Sequence, residues 1–156
     1  MKSFSSWFLI YLFSFTVHQE LRFKPRDDIE NSGISASNTD SCVKVTSEGM
    51  YKVESQITFK VNAEFPQRVA YHAIILKEGS ELKERMQVKR SLFVDKQNIH
   101  GRETIHEASN INVLSYIKAN DQICVRVNPV QNLYNSRIDN ILDIEKRFDI
   151  ATQGNT

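Results

Sequence analysis

Between Tyr51 and Val61 the chain alternates without a break. Apolar or small residues hold the odd positions (Tyr51, Val53, Ser55, Ile57, Phe59, Val61) and polar ones the even positions (Lys52, Glu54, Gln56, Thr58, Lys60). A period of two fits a strand with one face on a core and the other in water. On a helix the same residues would scatter around the whole circumference. Before it, a short strand at Cys42 to Val45 and a turn at Thr46 to Gly49 are expected. After a loop at 62–67 punctuated by Pro66, Arg68 to Lys77 is nearly continuously apolar, through Val69, Ala70, Tyr71, Ala73, Ile74, Ile75 and Leu76. Such a run predicts a central strand buried on both faces, its outer side covered by another subunit. Met86, Val88, Arg90 and Leu92 then alternate with Gln87, Lys89 and Ser91, and predict a half-exposed strand. Ile111 to Ile117 and Gln122 to Val127 predict a hairpin around Ala119-Asn120-Asp121, with Ile123, Val125 and Val127 inward and Cys124 and Arg126 outward. In the last segment, Ile138 to Ile150, the spacing of Ile141, Ile144 and Phe148 also fits a helix. About eight short strands in two sheets make an all-β jelly-roll β-sandwich the economical fold.

The N-terminus has a different texture. Lys2 and the apolar run Trp7 to Val17 predict a signal peptide or signal anchor over residues 1–18. The run is short of the roughly 20 residues that cross a bilayer. Residues 19–40, rich in charge, Ser and Asn, are expected to be a flexible linker, with Leu21-Arg22-Phe23 a candidate short edge strand. The domain then spans 41–150 and a tail 151–156. An extracellular, secreted protein is expected, or a cell-surface type II membrane protein if the segment stays uncleaved. Membrane contact is expected only in the second case.

With 20 basic and 19 acidic residues and no Lys/Arg block, nothing suggests nucleic-acid binding. His100, His106, Glu103 and Glu107 match no metal-ligand spacing, and G-x-S-x-G, P-loop and G-x-G-x-x-G motifs do not occur. No catalytic residue, metal or cofactor is expected, and the chain reads as not an enzyme. Lys89-Arg90 reads as a solvent-facing pair. No N-x-[ST] sequon occurs.

Ser47-Glu48-Gly49-Met50-Tyr51, followed by Ser55-Gln56-Ile57-Thr58-Phe59, resembles the S-E-G-x-Y-x-x-x-S-Q-[VI]-x-F strand of tumour necrosis factor (TNF) ligands. Tyr71-His72-Ala73-Ile74 is similar to that family's H-x-I core. Ile117 to Val127 resembles its L-x-x-G-D-x-[LI]-x-V-x-V segment, with Asn120 in the place of Gly. Asn tolerates the left-handed turn conformation that Gly supplies. The family's aromatic early in the sixth strand falls near Asn110, and its terminal F-F-G strand has no counterpart at 140–144.

The resemblance implies a cytokine that assembles as a homotrimer and clusters TNF-receptor-like, cysteine-rich receptors in grooves between subunits. It places receptor contacts on two loops, at Phe93, Asp95 and Lys96 and at Leu133, Tyr134 and Arg137. It places subunit packing at Tyr71, His72, Asn110 and Tyr116. The family topology, with one strand between those of Cys42 and Cys124, implies a separation of roughly 9–10 Å. Since bridging needs Cα atoms within about 7 Å, no disulfide and two free thiols are expected. The rival expectation is a complement-head-like pattern-recognition module that binds carbohydrate or other extracellular ligands.

Overall fold

The structure, a computed structural model, describes residues 3–11, 21–25, 34–36, 42–65, 68–94, 99, 101, 103–134 and 140–148. Ten strands are described: β1 (Ser3–Tyr11), β2 (Arg22–Pro25), β3 (Ile34–Ala36), β4 (Cys42–Val45), β5 (Gly49–Val61), β6 (Val69–Glu78), β7 (Lys83–Phe93), β8 (Ile105–Ile117), β9 (Gln122–Asn128) and β10 (Ile141–Phe148). They form two five-stranded antiparallel sheets, ordered β2-β1-β10-β5-β8 and β3-β4-β9-β6-β7. This is the jelly-roll sandwich that the alternating pattern implies.

Alternation decides what each strand buries. All six odd residues from Tyr51 to Val61 are buried, with Val53, Ile57 and Phe59 wholly so. Fully burying Ile57 or Phe59 contributes about 1.5–3 kcal/mol each. Across the sandwich they meet Ile74 and Leu76 from β6 and Ile123, Val125 and Val127 from β9 in one core. Cys124 and Arg126 of β9 point to the other face, as the alternation requires. β10 is a strand and not a helix, because its Leu142 and Ile144 enter the core between β1 and β5. At the β8–β9 turn Asn120 has φ 74°, the left-handed conformation expected there.

Four expectations need correction. Residues 3–11, within the segment read as a leader or anchor, form β1, which pairs with β10 and β2, and residues 22–25 and 34–36, within the expected linker, are also strands. A run of this length suits a sheet strand as well as a leader. The edge strand at 22–25 overlaps the short strand foreseen at Leu21 to Phe23. Second, β8 and β9 are joined by a tight turn yet are not a hairpin, since β8 pairs with β5 and β9 with β4 and β6. Alternation fixes which face a residue buries, not which strand lies beside it.

Third, Cys42 and Cys124 are directly opposed on neighbouring strands, with Cα atoms 4.5 Å apart, and form a disulfide. The expectation of free thiols fails because no strand intervenes between β4 and β9. Fourth, the chain itself buries both faces of β6. On the outer face, Ala73 and Ile75 pack with the disulfide, with Tyr71 at the margin. No second subunit is needed to cover them.

Candidate partner-binding surfaces

The outer face of the first sheet is laid out by its register. Across β8, β5 and β10, Leu114 lies beside Lys52 and Glu145, then Asn112 beside Glu54 and Asp143, then Asn110 beside Gln56 and Ile141. A charged belt therefore crosses the middle of the face. Within it Lys52 Nζ is 2.8 Å from Glu54, and Arg147 Nη1 is 3.5 Å from Glu145. Asn112 Nδ2 donates to Glu54 at 3.2 Å. A shallow depression of about 490 Å³ lined by Lys52, Asn112, Leu114 and Arg147 opens on it. Leu114 projects there, 64% exposed.

At one end of this face the 129–134 segment extends the ladder along β5. Leu133 bridges to Phe59, the Tyr134 N–H donates to the Thr58 carbonyl at 2.8 Å, and Asn132 Nδ2 reaches the Lys60 carbonyl at 3.4 Å. Buried Asn140 ties the segment down. Its Oδ1 accepts the Thr58 N–H at 3.0 Å and its Nδ2 donates to the Tyr134 carbonyl. Leu133, expected to touch a receptor, is buried against the core instead, because its bridge to Phe59 turns it inward. Tyr134 points outward and stacks on His106, ring centroids 4.3 Å apart. His106 is marked by the sequence only as matching no metal-ligand spacing. It sits opposite Lys60 on β8, far from Tyr134 in sequence, so no local pattern links the two rings.

The outer face of the second sheet carries an exposed aromatic. Phe93 is 82% exposed and lies opposite Val69 at the end of β7. Two residues along, Tyr71 is opposite Ser91, and Lys89 Nζ lies 4.3 Å above the Tyr71 ring centroid. A cation over an aromatic face at this distance is attractive. Phe93 and Tyr71 thus share one patch, whereas Tyr134 and His106 lie on the opposite face. Asp95, Lys96 and Arg137 lie outside the described residues.

The four residues expected at a subunit interface fall in three places. Asn110 and Tyr116 are on β8, and Tyr71 is on the far sheet. His72 is in the interior, because its even-numbered neighbours on β6, Ala70, Ile74 and Leu76, all face the core. It is fully buried and crosses between the sheets, with Nε2 2.8 Å from Ser55 Oγ and Nδ1 3.1 Å from Ser109 Oγ. A neutral imidazole donates through one nitrogen and accepts at the other, so it meets both hydroxyls. Burial, reinforced by the nearby Arg90 guanidinium, pushes the His72 imidazole down to about 3, against a hydrogen bond to the Ser109 backbone that acts the other way. Ser55 and Ser109 are also buried. The Ser–His contact is therefore a sealed cross-link between sheets, with no room for a substrate.

Two five-stranded antiparallel sheets in this strand order form a TNF-like jelly roll. The sequence matches no family model and no curated protein. Among solved structures it is similar to murine APRIL, a TNF ligand. The crystal structure at pH 8.0 superposes with TM-score 0.69 and 14% identity, and that at pH 5.0 with TM-score 0.70 and 15% identity. A third, at pH 8.5, gives TM-score 0.69 and 15% identity. Each comparison covers 94% of this chain and 99% of the other. The likeness is one of fold across nearly the whole chain.

Proposed function

We propose that the chain is a divergent TNF-like ligand that acts outside the cell as a homotrimer and clusters cysteine-rich receptors. One observation carries the reading. Two aromatic patches, exposed Phe93 with half-buried Tyr71 and its Lys89, and half-buried Tyr134 stacked on exposed His106, lie on opposite faces of one sandwich. A single partner meets both only where two copies stand side by side, the patch of one copy forming one wall of a groove and that of its neighbour the other. Tyrosine is among the residue types that anchor interfaces, and each patch holds one. Three such grooves per particle give avidity without any new contact. The Cys42–Cys124 disulfide supports an extracellular site of action, since such bonds persist in oxidising compartments.

Light scattering behind size exclusion on the full chain is the first test. A trimer is expected; a folded monomer removes the groove and leaves a complement-head-like binding module. The second test mixes two variants, Phe93→Ala and Tyr134→Ala, on a panel of immobilised cysteine-rich receptor ectodomains. Each variant alone has no intact groove. Refolded together in equal amounts, about one groove in four combines the two unaltered walls, because a head-to-tail ring joins unlike faces. Binding by the mixture and not by either variant is expected. Equal loss in all three refutes the shared groove.

A further inference from the structure

Lys89 and Arg90 are both exposed, as the sequence suggests, yet each has a fixed contact. Lys89 lies over Tyr71, while Arg90 reaches across the open flank of the sandwich, where its Nη1 donates to the Asn110 carbonyl at 3.0 Å. Arg85, also on β7, does the same further along. Its Nη2 donates to the Tyr116 carbonyl at 2.9 Å while its Nε pairs with Glu78 at 3.1 Å. Both acceptors belong to β8. That strand has β5 along its whole length on one side and, among the described strands, none on the other.

In an antiparallel ladder the N–H and C=O of one residue point to the same side, and the side alternates along the strand. Since the carbonyls of Asn110 and Tyr116 face β7, the N–H and C=O groups of Asn112 and Leu114 face that way too. β8 is thirteen residues long. A long regular edge of this kind is a template for another strand. A second copy fits it by symmetry. An antiparallel β8–β8 pair centred on Val113 sets Asn110 of each chain against Tyr116 of the other, a self-complementary two-fold contact. The carbonyls such a ladder needs at its two ends are those the two arginines already occupy.

We propose that Arg85 and Arg90 cap the β8 edge and so prevent two copies of this chain from joining strand to strand. This does not rest on the ligand reading, and it holds for a particle in which the β8 edge is open to solvent. The test is the solution mass of three variants of the full chain across rising concentration. Arg85→Ala/Arg90→Ala is expected to give particles of about twice the wild-type mass or larger, as an uncapped edge pairs. Leu114→Pro removes an N–H that faces the free edge and leaves the β5 ladder whole, which an edge strand tolerates. Alone it is expected to keep the wild-type fold and mass, and added to the double variant it is expected to restore that mass. If R85A/R90A does not fold, R85Q/R90Q is read in the same way. A double variant of unchanged mass, an association that L114P does not reverse, or unfolding by L114P alone each overturns the proposal.

Discussion

Replacing His72 with leucine tests the interior cross-link between the sheets. The two side chains are similar in volume, so H72L leaves little cavity. It does strand the hydroxyls of Ser55 and Ser109, both buried. Each buried group left without its partner costs about 1–3 kcal/mol, so with two stranded hydroxyls the variant should lose about 2–6 kcal/mol. That corresponds to a fall in Tm of roughly 4–24 °C for a chain of this size. Removing all three polar groups in S55A/H72L/S109A should restore most of the loss, since replacing every partner by apolar groups is nearly neutral. Urea denaturation of wild type, H72L and the triple variant measures this directly. The same set carries a pH signature. His72 titrates at about 3 in the folded chain and near 6.5 unfolded, so the unfolded chain takes the proton first as pH falls. Its contribution is complete above about pH 6.5 and is lost as pH falls toward 3, by about 1.4 kcal/mol per unit and on the order of 5 kcal/mol in all. Between pH 6 and pH 4 wild type should therefore lose about 2–3 kcal/mol more than H72L. Parallel pH profiles, or a triple variant no more stable than H72L, would refute the reasoning.

Other outcomes follow from the same geometry. The Cys42–Cys124 bond closes a separation of 82 residues, so C42A/C124A should lose about 2–4 kcal/mol in thermal or urea unfolding; intact mass without reduction should fall short of the dithiol mass by two hydrogens. Asn120 has φ 74°, so Asn120→Val should cost about 1–2 kcal/mol while Asn120→Gly stays near wild type by calorimetry. Phe93→Ala, at a side chain 82% exposed, should move stability by less than about 0.5 kcal/mol yet abolish receptor recruitment. Asn140→Ala should release the Tyr134 segment, and accelerated amide exchange at Tyr134 is the readout, because its N–H bond to Thr58 then loses its brace.

The sequence was most legible where alternation was strict. From Tyr51 to Val61, and again at Ile123, Val125 and Val127, parity alone named the inward face. Parity also held the answer for His72, whose even number placed it with Ala70 and Ile74, yet the resemblance drew it to a subunit surface. Neighbour relations between strands were not legible. Cys42 and Cys124 share a register only because β4 lies beside β9, and no local pattern states that. The same limit hid the Tyr134–His106 stack and the reach of Arg85 and Arg90 to β8, each joining residues distant in sequence. The run Trp7 to Val17 was ambiguous in itself, since a leader and a sheet strand ask for the same apolar stretch.

β10, the last strand described, lies in the middle of its sheet between β1 and β5. A chain emerging from the ribosome N-terminus first therefore has β1, β2, β5 and β8 available while the strand that joins them is still unmade. The second sheet has no such gap, since β4, β6, β7 and β9 all precede β10. Half of the sandwich can form during synthesis, and the other half waits for residues 141–148. In that interval the backbone edges of β1 and β5 that β10 will join have no common neighbour, and they are the surfaces a chaperone would have to shield.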